Sequence, residues 1–108
     1  MRRATSYRDF WPLYLSEHRR AGTRHLHVLG TGLAALLLVG AAVLADWRLI
    51  PAAIVAGYAF AWAGHAFVER NKPATFIHPL WSLVSDLRMF GLWLGGQLKA
   101  ELRRHGIE

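Results

Sequence analysis

A histidine and a glutamate stand four residues apart where a long uncharged stretch ends, His65 and Glu69 in the string G-H-A-F-V-E-R-N-K-P-A-T-F from Gly64 to Phe76. At that spacing an imidazole and a carboxylate project from one face of a helix. At the mouth of an apolar segment the pair is costly unless it binds or pairs with something. The chemistry on offer is metal coordination at a membrane surface. Cysteine is absent, which excludes disulfides and thiolate ligands, so a metal would be held by histidine nitrogen and carboxylate oxygen. His18 and His27 supply two further imidazoles ahead of the uncharged stretch.

A residue count brings these groups together. If the chain folds back at Asp46–Trp47, His27 lies 19 residues before Asp46 and His65 lies 19 after it. At 1.5 Å per residue both sit roughly 25–28 Å from the turn, at nearly one depth. His18 arrives just ahead of His27, and Glu69 stands one turn beyond His65. Imidazole and carboxylate with open coordination positions suit non-haem Fe(II), and zinc accepts the same ligands. Plainer roles exist for each: an interfacial histidine often only snorkels, and Glu69 can pair with Arg70, Lys72 or Arg88. His25 points nearly opposite His27 and stays outside the set. His105 falls in a polar tail, and His78, just before Pro79, is a cap or a fourth ligand.

The elements that would position these residues are apolar helices. The 108 residues make room for one domain, residues 1–108, and 54% of them are hydrophobic. No charge occurs between Val28 and Ala45 or, with His65 neutral, between Leu49 and Val68. Stretches of about 18–20 such residues are long enough to span a membrane. Two of them in a soluble bundle would need covering on all sides, and a chain this short has little left to do it. The first stretch starts too late and runs too long for a signal peptide. The net charge of +6 raises nucleic acid as a partner, but its distribution points elsewhere. Arg2, Arg3, Arg8, Arg19, Arg20 and Arg24 precede the first stretch, Arg70 and Lys72 follow the second, and Asp46 and Arg48 cancel in the turn. That is the positive-inside pattern of a multi-pass membrane protein with both termini cytoplasmic. Membrane lipids, and not nucleic acid, are the partners it implies.

The expected architecture is all-α: a small membrane helical bundle with a two-helix transmembrane hairpin, an N-terminal interfacial helix and a C-terminal helix. Tyr7, Phe10, Trp11 and Tyr14 recur at helical spacing, and His18 continues their face. A start capped by Asp9 keeps Pro12 in the tolerant first turn. Its Trp and Tyr suit the headgroup level. Thr23 is the expected cap of the first long helix, and Pro51 fits the first turn of the second. Ala52, Ala53, Ala56, Gly57, Ala59, Ala61, Ala63 and Gly64 give that second helix a small surface suited to close approach. The connection runs from Asn71 to Thr75, with Pro73 ending the helix. Pro79 opens the last helix, with an apolar stripe of Leu80, Leu83, Leu87, Phe90 and Leu94, while Ser82, Ser85, Asp86 and Met89 lie on its other faces. Asp86 and Arg88 make spanning expensive there. Gly95-Gly96 weakens it, and Gln97–Arg104 reads as a polar terminal segment.

Y-L-S-E-H (14–18), L-H-V-L-G-T (26–31), the Gly64–Phe76 block, P-L-W-S-L (79–83) and Asp86 together resemble the 2-hydroxy fatty acid dioxygenase family, small multi-pass membrane proteins of fatty-acid α-oxidation. The resemblance runs from Tyr14 to about Met89. It implies an Fe(II)-dependent oxidoreductase that uses O₂ to shorten a 2-hydroxy fatty acid by one carbon. Carried over by position, it implies His18, His27 and His65 as metal ligands with Glu69 as a catalytic group beside them. Two other classes stay open: a haem protein with His27 and His65 as axial ligands, and a non-catalytic membrane scaffold whose histidines only snorkel. No nucleophile motif or phosphate-cradling glycine loop is present.

Overall fold

The computed structural model describes residues 4–72 and 77–107, and all regular structure among them is helical. In chain order these are α1 (Tyr7–Ser16), α2 (Ala21–Leu44), α3 (Leu49–Ala63), a π-helical turn continuing α3 (Gly64–Glu69), α4 (Pro79–Leu94) and α5 (Leu98–Arg104). Arg2, Arg3 and the expected stop at Pro73, with the connection on to Thr75, lie outside the described residues.

The hairpin of α2 and α3 forms as the uncharged stretches require. Ala45 ends α2 in the left-handed conformation (φ 51°), and Asp46 Oδ1 accepts from the Arg48 backbone N–H at 3.1 Å, which tightens the turn. Small residues set how closely the helices cross. A Cβ added at Gly30 would fall 2.6 Å from Phe60 Cβ and 3.1 Å from the Gly57 carbonyl oxygen. α2, and α3 with its π turn, are each long and apolar enough to cross a membrane, yet only 22% of each apolar window is buried. Leu36, Val43 and Val55 are 71%, 75% and 68% exposed, which a soluble core helix would not leave. These apolar faces are left uncovered among the described residues.

α1 departs from expectation at both its start and its surroundings. Ser6, not Asp9, is the N-cap, its hydroxyl accepting from the Asp9 N–H at 3.2 Å. Pro12 therefore lies inside the helix, and the Arg8 carbonyl it leaves without an i+4 donor belongs to an exposed residue that water can serve. Nor does the aromatic face lie open to headgroups. Phe10, Trp11, Tyr14 and Leu15 are buried with Met89, Leu98, Leu102 and Ile107 in the main apolar core. Each fully buried side chain of this kind contributes about 1.5–3 kcal/mol. The core forms because α5 is no polar tail: Leu98, Glu101 and Leu102 turn inward, and Gly96 (φ 72°) permits the reversal after α4.

α4 is inside out relative to a soluble helix. Its apolar stripe faces outward, with Leu80 76% and Leu87 60% exposed, whereas Ser82, Ser85 and Met89 are buried. The inward face is the polar one. Ser85 Oγ meets the Tyr7 hydroxyl at 3.0 Å, and Asp86 reaches the start of α2.

Candidate functional site

Four elements converge where α2 begins. Thr23, the expected cap of α2, does not cap it; its hydroxyl donates to Glu69 Oε1 at 2.8 Å, and the same oxygen accepts the Arg20 backbone N–H at 2.9 Å. A carboxylate from the far end of the hairpin thus satisfies the helix start, where unpaired N–H groups favour negative charge. Gly64 makes the approach possible, since a Cβ there would lie 3.3–3.4 Å from three Thr23 atoms. Single π turns of this kind re-aim side chains and recur at functional sites. This one aims His65 inward.

The three imidazoles share one hydrogen-bonding logic. His18, two residues past the end of α1, places Nδ1 2.9 Å from the Tyr14 carbonyl oxygen. A carbonyl only accepts, so Nδ1 carries the proton and Nε2 keeps its lone pair. His27 Nε2 lies 2.6 Å from Asp86 Oδ1 and 2.9 Å from the Tyr14 hydroxyl, which itself donates to Asp86 Oδ1 at 2.5 Å. With acceptors facing Nε2, the His27 lone pair falls on Nδ1. His65 Nδ1 lies 2.7 Å from Asn71 Oδ1, and Asn71 Nδ2 donates to the Glu17 carbonyl at 3.1 Å. That amide orientation makes His65 Nδ1 the donor and leaves the lone pair on Nε2. In each ring one nitrogen is held and the other is free to accept.

Two of the free nitrogens, His18 Nε2 and His27 Nδ1, are buried without a hydrogen-bond partner among the described residues. Each such orphan costs about 1–3 kcal/mol unless an ion, water or ligand meets it. The rings are neighbours: His18 stacks on His27 with centroids 5.0 Å apart, and meets His65 edge-on at 4.5 Å. As arranged, no three His, Cys, Asp or Glu groups among the described residues surround a common point in metal-holding geometry. The donor chemistry fits a metal, since neutral imidazoles backed by a carboxylate, a carbonyl and an amide are the usual supporting pattern. The face-to-face packing of His18 on His27 does not by itself direct both nitrogens at one ion.

Burial favours the uncharged forms here. His18 is pushed well below the ordinary histidine range by burial and by the neighbouring His27 and His65. Burial also raises the Asp86 carboxyl to about 7, against the lowering pull of the Tyr14 hydroxyl. Tyr14 moves well above the usual phenol value through burial and the adjoining Asp86.

The other expected groups go elsewhere. Glu69 meets α2 as described and not an imidazole. His78 Nε2 accepts from the Ala4 N–H at 3.1 Å and stacks on Trp81, so it fastens the N-terminal segment and is no fourth member. His25 is exposed, and His105 approaches Glu101. Three residues of the site were not assigned from the sequence: Tyr14, Asn71 and Asp86. The available signals were the cost of Asp86 within an apolar helix and the shared helical face of Tyr14 and His18.

Residues 4–98 match the family model described as Mpo1-like, 2-hydroxy-palmitic acid dioxygenase. No curated protein and no solved structure matches the chain. The match covers most of the sequence, and the chain belongs to the Mpo1-like 2-hydroxy-palmitic acid dioxygenase family.

Proposed function

We propose that this family member is an Fe(II)-dependent dioxygenase that shortens 2-hydroxy fatty acids by one carbon where a membrane meets the cytoplasm, with His18, His27 and His65 holding the metal. The observation that carries it is the pair of orphaned, buried nitrogens on His18 and His27, beside a third imidazole whose Nδ1 is held by Asn71. Bound there, iron would supply the redox chemistry with O₂ that breaks the C1–C2 bond of the acid.

The chain's own residues do the positioning. Asp86 and the Tyr14 hydroxyl fix the His27 ring, the Tyr14 carbonyl fixes His18, and Asn71 fixes His65 while tying it to the end of α1. Glu69 is a positioning residue: it locks the π turn onto the first turn of α2, so that His65 and His27 keep their relation. Burial excludes water from the rings, and the outward apolar faces of α2, α3 and α4 offer the acyl tail a route along lipid. The clustering of arginines at the ends of the hairpin away from Asp46 supports cytoplasmic termini. Haem ligation by His27 and His65 fits less well, because the His18 ring occupies the space beside both.

The test is metal content and O₂ uptake of the detergent-purified protein with 2-hydroxypalmitate. About one iron per chain, with formation of the acid one carbon shorter, is expected. A protein that binds no iron and leaves the acid intact would end the proposal.

A further inference from the structure

Residues of α1, α4 and α5 line an open basic recess of about 340 Å³, walled by Arg8, Trp11, Arg88, Glu101, Arg104 and His105 among others. Glu101 forms its floor. Its side chain is only 6% exposed, and Oε2 accepts from Trp11 Nε1 at 2.8 Å and lies 3.3 Å from His105 Nε2. Its Oε1 pairs with Arg104. One carboxylate, with both oxygens engaged, thus stands against three guanidinium groups. Arg88 is held over the Trp11 ring, 4.0 Å from ring centroid to guanidinium carbon, and sits 3.9 Å from Glu101 Oε2. Stacked this way, its planar donors are ordered in advance while the side chain stays 43% exposed. No carboxylate among the described residues pairs with Arg8. Among the described lining residues the guanidinium groups outnumber the carboxylates three to one.

We propose that this recess binds the phosphate of an anionic glycerophospholipid headgroup. Planar guanidinium donors around an uncompensated positive site match phosphate oxygens. The position matches a headgroup as well. Trp11 stacks on Tyr14 at 5.7 Å, Tyr14 touches His27 near the start of α2, and Leu87 and Val84, beside Arg88 on α4, are exposed and apolar. A lipid whose tails lie along that stripe brings its phosphate to Arg88 without bending. The same chemistry would take a water-soluble phosphate ester, so the two sources must be separated.

The whole 108-residue chain in detergent, titrated by native mass spectrometry with phosphatidylglycerol, phosphatidylcholine and glycerol 3-phosphate, tests this. Phosphatidylglycerol should bind one-to-one and more tightly than phosphatidylcholine, and R88Q/R104Q should weaken it by at least about tenfold. Arg8→Gln, which breaks none of the Glu101 pairs, should weaken it several-fold and decides the matter if the double variant melts. Arg48→Gln, at the opposite end of the hairpin, should change nothing. Glycerol 3-phosphate binding as tightly as the lipid supports the phosphate site but makes the soluble ester its source. Equal binding of phosphatidylcholine, or no loss in either arginine variant, overturns the proposal. His18→Ala should keep the lipid, so failure of the iron site and failure of this one are told apart.

Discussion

Asp86 Oδ1 stands 2.6 Å from His27 Nε2, joining α4 to α2 across 59 residues of sequence. The same oxygen receives the Tyr14 hydroxyl, so one carboxylate gathers three helices at the place where the imidazoles meet. If this contact aims His27 Nδ1 at a metal, Asp86→Asn should lower iron affinity by roughly 10–100-fold, as the loss of such supporting groups does elsewhere. Competition with a calibrated chelator measures it. Unchanged affinity would reduce Asp86 to a packing role.

Asn71 bridges the Glu17 carbonyl and His65 Nδ1. Asn71→Ala strands both groups, and each stranded partner costs about 1–3 kcal/mol where water cannot reach it. A lower detergent melting temperature and weaker iron binding are expected together. Loss of stability with full metal affinity would show that Asn71 ties helices without orienting His65.

Glu69 separates two roles through one pair of variants. As the acceptor for Arg20 N–H and Thr23 hydroxyl, it should tolerate Glu69→Gln, which keeps an oxygen in place, and suffer from Glu69→Ala by about 1–2 kcal/mol. A metal ligand would respond oppositely, with Gln already abolishing tight iron binding. Metal titration of both variants beside thermal melts distinguishes the two.

The hairpin crossing has no spare room at Gly30. Gly30→Ala sets a methyl 2.6 Å from Phe60 Cβ and 3.1 Å from a Gly57 carbonyl that cannot swing away, and should cost about 1–3 kcal/mol. Gly91→Ala, where a Cβ meets nothing within 4 Å, should instead be neutral or gain up to about 1 kcal/mol from helix propensity. Equal melting temperatures for the two would contradict this packing.

Glu101 gives the docking of α5 a pH dependence. Burial alone raises its carboxyl, but donors from Trp11, Arg104 and His105 outweigh burial and hold it below the ordinary glutamate value. A depressed folded pKa contributes stability that is present above the unfolded value, about 4.3, and lost as pH falls through the folded one. The melting difference between wild type and Glu101→Gln should be widest near neutrality and close below about pH 4. A gap constant down to pH 3 would remove the carboxylate from the account.

Much of the hairpin is legible in the amino-acid sequence. Helical rise is fixed, so equal spacing from Asp46 put His27 and His65 at one level, and their rings do flank His18. The glycines and alanines announced a close crossing, and Gly95-Gly96, which weaken a helix, do follow the last residue of α4. The Ser6 cap was less legible, because Pro12 argued for a later start and the buried aromatic face of α1 overrode it.

The amino-acid order alone therefore determined the two long helices, where the chain turns back between them, and how far each histidine stands from that turn, while α5 came only with the structure. Only the tertiary structure decided how α1, α4 and α5 rotate about their own axes. Periodicity alone would turn the apolar stripe of α4 inward, yet it faces outward. Its rotation is then set by the buried bonds of Asp86 and Ser85 to partners on α1 and α2, which no local periodicity encodes.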